Sequence, residues 1–523
     1  MLFKKQTPQA LPQQHEQALS SLFGRGVTSI ASAKAELFHE PLSFNPLDYL
    51  KPNRYFLGLD HQSKQPLYNF EAIHTQIVAP TRAGKGVLMG VKAVEALRAK
   101  KGLIIIDPKE DDFLPSVILE ELHRQNRASD LIILNWSSSF GYTVFNQYDN
   151  AKSASKKLSI MLNLIESDSE LGASFYRKSE RIMLAQIIAI FFDTQKYLNI
   201  TFEKTLQSLS MFIKYVIADV VSANEFEKES QKTKPNFDKL EQLSKRYFDP
   251  ILFAKLDLNI SNVPILESLQ FSLSEFDSVT FNNQFDLTQA LINNKVIYIK
   301  SDMLDETALK FLKLVIFDII ELSKLHKKKT NALVILDELS FYPTQILSAG
   351  LATAAGFGIN FILAYQSEAQ MRDENLRVAI KDNCQTKIYY KSSDDTTLKY
   401  IELLSGLELV SQKSKNGNDT TIRQLQEAHM NITRLRALPR AKVAILLEEN
   451  LNEIKIFQTS PIPVKAKFDW DAINNTKIQI VKFKLQKLHQ VQTKSEIILD
   501  EGNQKKDQDI KSAMTNNELE FEL

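Results

Sequence analysis

Apolar positions fall into two kinds of run along the chain. Short, unbroken apolar stretches recur at 76–80 (QIVAP), 102–108 (GLIIIDP), 131–136 (LIILNW), 295–300 (KVIYIK), 332–338 (ALVILDE), 360–366 (NFILAYQ), 386–391 (TKIYYK) and 441–448 (AKVAILLE). Runs of this length without polar alternation predict strands covered on both faces, as parallel sheets require. Between most of them apolar residues return at helical spacing, as in VLMGVKAVEALRAK after the first run and in a crossover helix predicted over roughly 113–126. Strands alternating with helices predict an α/β domain with a mostly parallel sheet.

From about 150 to 285 the pattern changes. Strand-like runs nearly vanish, and Ser, Lys, Glu and Leu dominate. RKSERIMLAQIIAIFFD at 177–193 becomes apolar all round in its later part, which predicts a buried helix. The pattern therefore predicts an all-helical domain inserted into the sheet domain. The expected boundaries are 1–70 for an N-terminal extension and start of the core, 71–149 and 286–465 for the two parts of the nucleotide-binding domain, 150–285 for the insertion, and 466–523 for a C-terminal arm. The arm turns basic and Gln-rich, ends acidic, and reads as helix or disorder. SQKSKNGNDTT at 411–421 reads as a polar loop.

Composition narrows the picture without changing it. A chain of 523 residues with 44% hydrophobic and 24% charged residues is an ordinary globular chain of two or three domains. Its net charge of +1 gives no overall nucleic-acid signature, so such contacts need a local lining, for which Lys381, Lys387 and Lys391 are candidates. One cysteine, Cys384, excludes an intrachain disulfide and a cysteine metal cluster, and the 8 histidines show no ligand spacing. The first residues carry charge without an apolar segment behind them, and no window reaches 18 uncharged apolar residues, so neither a signal peptide nor a membrane span is expected. The expected localisation is cytoplasmic.

Candidate chemistry sits at two strand ends. IVAPTRAGKGVLMG at 77–90 approaches the phosphate-loop pattern G-x-x-x-x-G-K-[ST], with Ala79 at the first glycine and Gly86 at the hydroxyl position. Thr81, Arg82, Ala83, Gly84, Lys85, Gly86 and Val87 are the expected nucleotide-binding residues. Gly84 permits the tight turn, Lys85 brings an ammonium to the terminal phosphates, and the helix that starts there adds its positive end. Gly86 cannot ligate magnesium, so water or a carboxylate must complete the metal shell. ALVILDELS at 332–340 supplies the second half. Asp337 would hold Mg2+ directly or through water, and Glu338 would orient the attacking water. Gln366, at the end of another core strand, can bond that water or a γ-phosphate. Lys109 can touch phosphate or DNA, or cap its strand end.

With these residues in view, the chain resembles the coupling proteins of type IV secretion and conjugation. PTRAGKGV at 80–87 fits that family with its glycine at 86; Asp107, Pro108 and Lys109 match its D-P-K-G-E segment, with Glu110 where glycine is usual. VFNQYD at 144–149, SFYRKSERIMLAQII at 174–188, AYQSEAQM at 364–371 and LRALPRAKVAILL at 435–447 resemble further family segments, so the likeness spans roughly 70–450. The resemblance implies a RecA-like P-loop ATPase using ATP and Mg2+ and acting as a hexamer. It implies that relaxase-bound single-stranded DNA, or protein, is passed to a type IV secretion channel. It also implies an arginine acting in trans, assigned to Arg440 with Arg434 and Arg436 as rivals. Many members anchor through two N-terminal spans; this sequence resembles a variant without them, recruited to the membrane through partners. Two other readings stay open: an ATP-switched substrate adaptor with little turnover, and a pump for double-stranded DNA.

Overall fold

The computed structural model of the 523-residue chain describes residues 43–69, 74–109, 111–136, 141–165, 171–193, 202–245, 258–280, 284–416, 419–439, 443–448, 454–465 and 468–470. Two compact units are present, Met1–Ala466 and Lys467–Leu523. In the second, the rings of Phe468 and Trp470 meet edge to face at 4.8 Å. The expected C-terminal arm otherwise lies outside the described residues.

The first unit is built on an eleven-stranded sheet. Its early strands are β1 (Tyr55–Asp60), β2 (Pro66–Asn69), β3 (His74–Val78), β4 (Gly102–Asp107), β5 (Leu131–Asn135) and β6 (Val296–Lys300). Then come β7 (Ala332–Leu336), β8 (Ile359–Tyr365) and β9 (Thr386–Tyr390). A separate ribbon, β10 (Leu407–Asn416) with β11 (Asp419–Ala428), precedes β12 (Val443–Glu448) and β13 (Lys455–Gln458). The strand order is β2-β1-β13-β12-β9-β3-β8-β7-β4-β6-β5. The seven strands from β9 to β5 are parallel, and β12, β13, β1 and β2 continue the sheet antiparallel. Every residue of β3 and β4 is buried, which is why their sequences lack polar alternation.

Helices cover both faces. α1 (Lys85–Arg98) comes after β3 and buries Leu88, Val91, Val94 and Leu97; α2 (Phe113–Arg124) comes after β4. The described chain between β5 and β6 holds no strand. It forms α3 (Ala151–Met161), α4 (Leu171–Phe192), α5 (Leu206–Ser230), α6 (Phe237–Ser244) and α7 (Val263–Ser274), with shorter helical turns. α3 starts in a reciprocal cap between Asn150 and Ser153. Leu184, Ile187, Phe191, Phe212 and Leu269 of these helices share one hydrophobic core with Leu134 and Ile299 of the sheet. α5 is the one described helix long and apolar enough to cross a membrane; here it buries Leu209, Phe212, Ile213, Val216 and Val220 against the protein. α8 (Glu306–Leu325) is the crossover between β6 and β7, capped by Asp305, whose carboxylate accepts from the amides of Thr307 and Ala308 at 2.9 and 3.2 Å. α9 (Gln345–Ala354), α10 (Glu374–Asn383) and α11 (Asp395–Leu404) come after β7, β8 and β9.

Two expectations need correction. The stretch 411–421 is part of a hairpin: β10 and β11 pair from Leu407↔Ala428 to Asn416↔Asp419. Its sequence shows no sustained hydrophobic alternation, and Leu407, Leu409 and Leu425 are exposed. Lys387 is not part of a basic lining. It is buried in β9 and donates to the carbonyl oxygen of Cys384 at 2.8 Å. Lys381 lies 3.4 Å from buried Glu368 and 3.7 Å over the Tyr400 ring.

Candidate active site

Register places the strand ends side by side. Ile106 of β4 pairs with Leu336 of β7, Leu336 with Leu363 of β8, and Val78 of β3 with Tyr365 of β8. The residues next in sequence, Asp107, Asp337 and Gln366, and the loop after Val78 therefore gather at one edge, the carboxyl ends of the strands, where open α/β sheets bind ligands.

The loop is shaped by its backbone. Gly84 has φ +115°, which an L side chain rarely adopts, and a Cβ there would meet the Tyr390 ring at 3.2 Å. Arg82 is also left-handed, at φ 63°. The amide of Ala83 donates to the carbonyl of Pro80 at 3.1 Å, and α1 begins at Lys85. Thr81 and Arg82 are exposed, Ala83 is buried, and Gly84, Gly86 and Val87 are half-buried. A tight turn into a helix N-terminus directs backbone amides to one point and favours an anion there.

Lys85 is buried, with its ammonium 2.6 Å from Asp337 Oδ1 and 2.5 Å from Glu338 Oε1. Glu338 also accepts from the Lys109 ammonium and, at Oε2, from the Gln366 amide at 3.1 Å. The Lys109 ammonium thus lies on a carboxylate, a contact outside the roles expected for it from the sequence. The Glu338 backbone is left-handed, φ 50° and ψ 40°, a strain of roughly 1–2 kcal/mol for a residue with a Cβ. Its amide is held by Asp337 Oδ1 at 2.8 Å, and the Tyr342 hydroxyl donates to the Asp337 carbonyl. Strained backbone fixed by several bonds is frequent where a side chain must be aimed.

Charge is distributed unevenly among these groups. Burial pushes Asp337 up, and the Lys85 ammonium opposes this without cancelling it. For Glu338 burial is outweighed by Lys85 and Lys109, which hold it below the usual carboxylate range. Burial alone would lower Lys85, but the two carboxylates raise it, so its ammonium is firmly charged. Asp107, which matches a family segment in sequence but has no role assigned by it, is pushed up to about 7 by burial and then by the charge of Asp337. It accepts from the Tyr298 hydroxyl at 2.6 Å and from the Lys109 amide at 2.9 Å.

Gln366 is positioned by the turn at Glu368, two residues on. Glu368 is fully buried and accepts from Gln76 of β3 at 2.7 Å and from the hydroxyls of Tyr365 and Tyr389 at 3.1 and 3.2 Å. The strand that leads into the phosphate loop and the turn that carries Gln366 are thus tied through one buried carboxylate. Arg440 lies outside the described residues. Of its rivals, Arg434 binds Glu408 and the carbonyl of His429, and Arg436 forms an exposed pair with Asp395 at 3.1 Å.

The sheet and loop define the class: this is a P-loop ATPase fold with a helical segment between its fifth and sixth strands. The chain belongs to the type IV secretory system conjugative DNA transfer family, whose pattern it matches over residues 51–458. No curated protein matches its sequence. Among solved structures it is similar to the bacterial conjugative coupling protein TrwBdeltaN70 in its unbound monoclinic form. That match has a TM-score of 0.54 and 15% identity, and covers 85% of this chain and 94% of that one. It is also similar to the plasmid coupling protein TrwB in complex with ADP and Mg2+, with a TM-score of 0.50 and 16% identity, over 76% of this chain and 87% of that one. At such identities the likeness concerns the fold.

Proposed function

We propose that the chain is an ATP-driven coupling protein that recruits relaxase-bound single-stranded DNA, or a protein substrate, and helps pass it to a type IV secretion channel. The observation that carries this reading is the convergence of Lys85, Asp337, Glu338 and Gln366 at one sheet edge in a chain of this family. Phosphates would enter at the amino end of α1, against the backbone of Thr81 to Val87. Lys85 would leave its carboxylates for phosphate oxygens. Glu338, released by Lys85 but still held by Gln366 and Lys109, would then polarise the attacking water, and Gln366 would sense the γ-phosphate.

The donor set suits magnesium. Among the described residues no group of three or more His, Cys, Asp or Glu stands together as a ready metal cage. Mg2+ keeps several waters and takes few carboxylates beside its phosphate oxygens, so Asp337 with a nucleotide is an adequate start. Bound there, it supplies charge neutralisation at the transferring phosphate. Solved TrwB holds ADP and Mg2+, which supports ATP and Mg2+ as the cofactors here.

Residues 150–285 would carry cargo or regulator binding, Arg440 would complete a neighbour's site, and the working form would be a hexamer drawn to the inner membrane face by its partners. A second reading, a nucleotide-switched adaptor with little turnover, draws on the hold that two ammonium groups have on Glu338. ATPase rates without DNA, with single-stranded DNA and with double-stranded DNA separate them. Stimulation by single-stranded DNA is expected. Binding of ATP without turnover under all three conditions would favour the adaptor, and stimulation by duplex alone would favour a double-stranded DNA pump.

A further inference from the structure

Gly86 stands where a phosphate loop normally carries the hydroxyl that ligates magnesium. The structure shows what lies beside it. Among the described residues, a Cβ built at Gly86 would find one heavy atom within 4 Å beyond its own helix: Asp111 Oδ2, at 3.8 Å. Asp111 lies in the turn between β4 and α2. Its other oxygen, Oδ1, accepts from the amide of Phe113, the first residue of α2, at 3.0 Å. That bond fixes the rotation of the carboxylate and leaves Oδ2 toward the loop. Among the described residues no hydrogen bond or ion pair engages Oδ2.

We propose that Asp111 replaces the missing hydroxyl: its carboxylate, facing Gly86, holds the magnesium ion of the bound nucleotide, directly or through a water of the ion's shell. The proposal rests on the reading of residues 81–87 as an ATP site. Mg2+ is a hard ion that takes oxygen ligands, commonly one or two carboxylates together with phosphate and water. Asp337 offers one carboxylate on the Lys85 side, and Asp111 offers the second on the Gly86 side.

Exchanging a hydroxyl for a carboxylate has a consequence that can be measured. A hydroxyl is neutral, whereas a carboxylate repels phosphate whenever no cation bridges the two. The chain should therefore bind nucleotide poorly without magnesium and gain strongly when magnesium is added. Asp111→Asn should move the two conditions in opposite directions, tightening binding in chelator and weakening the magnesium gain. The amide oxygen of asparagine can keep the bond to the Phe113 amide, so the start of α2 is preserved. A serine at 86 fits the open space beside the loop and restores the neutral ligand.

The test is calorimetric titration of ADP into the full chain, with excess Mg2+ and with chelator, for the wild type, Asp111→Asn, and Gly86→Ser combined with Asp111→Asn. Manganese binding followed by its spin-resonance signal gives a second readout free of turnover. In Asp111→Asn the ratio of affinities with and without Mg2+ should fall by roughly tenfold or more, the usual cost of losing one contributor to a metal site. The double variant should recover most of the ratio. A wild-type ratio in Asp111→Asn would overturn the proposal, as would an equal loss of affinity in both conditions, which would mark Asp111 as a helix cap alone. If the wild type binds no ADP in either condition, the nucleotide reading falls and takes this proposal with it.

Discussion

Lys85 and Lys157 are both buried, and each ammonium lies between two carboxylates. Asp337 and Glu338 are 2.6 and 2.5 Å from Lys85; Asp149 and Asp318 are 2.7 and 2.8 Å from Lys157. The difference lies in the third proton and in what holds the acids. Lys157 also donates to the carbonyl oxygen of Val144 at 2.6 Å. Asp318 accepts from the Tyr142 hydroxyl, and Asp149 from the Asn146 amide and the Ser153 hydroxyl, all at 2.9 Å. These groups come from the turn after β5, from α3 and from α8, so the cluster pins the first helix of the helical segment to the crossover helix of the sheet. Lys85 has no third acceptor among the described residues, and Glu338 has Lys109 and Gln366 to compensate it when Lys85 moves. A lysine whose departure strands one acid, Asp337, the carboxylate expected to take Mg2+, is suited to follow a phosphate. One whose departure strands two buried acids is suited to hold a fold together.

The largest expected effect is on stability. Lys157→Met should cost about 3–5 kcal/mol, the range for breaking a buried ion pair from one side. Lys85→Met leaves Lys109 on Glu338 and should cost about half of that or less. Urea unfolding of the two variants measures both, and equal losses would erase the distinction. Next comes turnover. Glu338→Gln should keep nucleotide binding and lower the hydrolysis rate by roughly 10² or more, the span of a lost general base. Steady-state ATPase assays with a binding control check this, and near-wild-type turnover would remove Glu338 from the chemistry.

The smallest effect concerns pH at the structural cluster. Burial, with the charge of Asp149, pushes Asp318 up to about 6 from 3.8 despite Lys157. Between those values the folded state holds a proton that the unfolded chain has released. This group's contribution to stability is therefore full below about pH 4 and is lost as pH rises through about 6. Asp318→Asn removes that slope. The stability difference, wild type minus variant, should fall between about pH 4 and pH 7, by about 2–3 kcal/mol, as read by urea unfolding at each pH. A constant difference would show that Asp318 stays ionised throughout.

How much of this is legible in the sequence differs between the two clusters for a physical reason. GLIIID and ALVILDE are strands covered on both faces, so their unbroken apolar runs announce both the strands and the acidic ends beyond them. PTRAGKG announces its turn through glycine and its charge through lysine. Lys157, by contrast, sits beside exposed Lys156 in AKSASKKLS, and nothing local distinguishes the buried lysine from the solvated one. Its partners Asp149 and Asp318 are brought to it only by packing. The same limit hides β1 and β13, since Leu59 pairs with Gln458 across most of the chain, and β2 is nowhere fully buried. The hairpin 407–428 escapes for another reason. Asn416-Gly417 between two runs is a hairpin signal, but strands this polar on both faces read as loop. Asp111 lies in a turn whose sequence points to no ligand until the fold sets it against Gly86.

The contrast between the lysines is tested most directly by thermal unfolding of the wild type, Lys85→Met and Lys157→Met, each with and without ADP and Mg2+. Ligand that binds only the folded state raises Tm by mass action. The wild type should gain, and Lys157→Met should gain as much from its lower starting point. Lys85→Met should start between the wild type and Lys157→Met and gain little or nothing. A ligand-induced rise in Lys85→Met equal to that of the wild type would contradict the assignment of Lys85 to the phosphates.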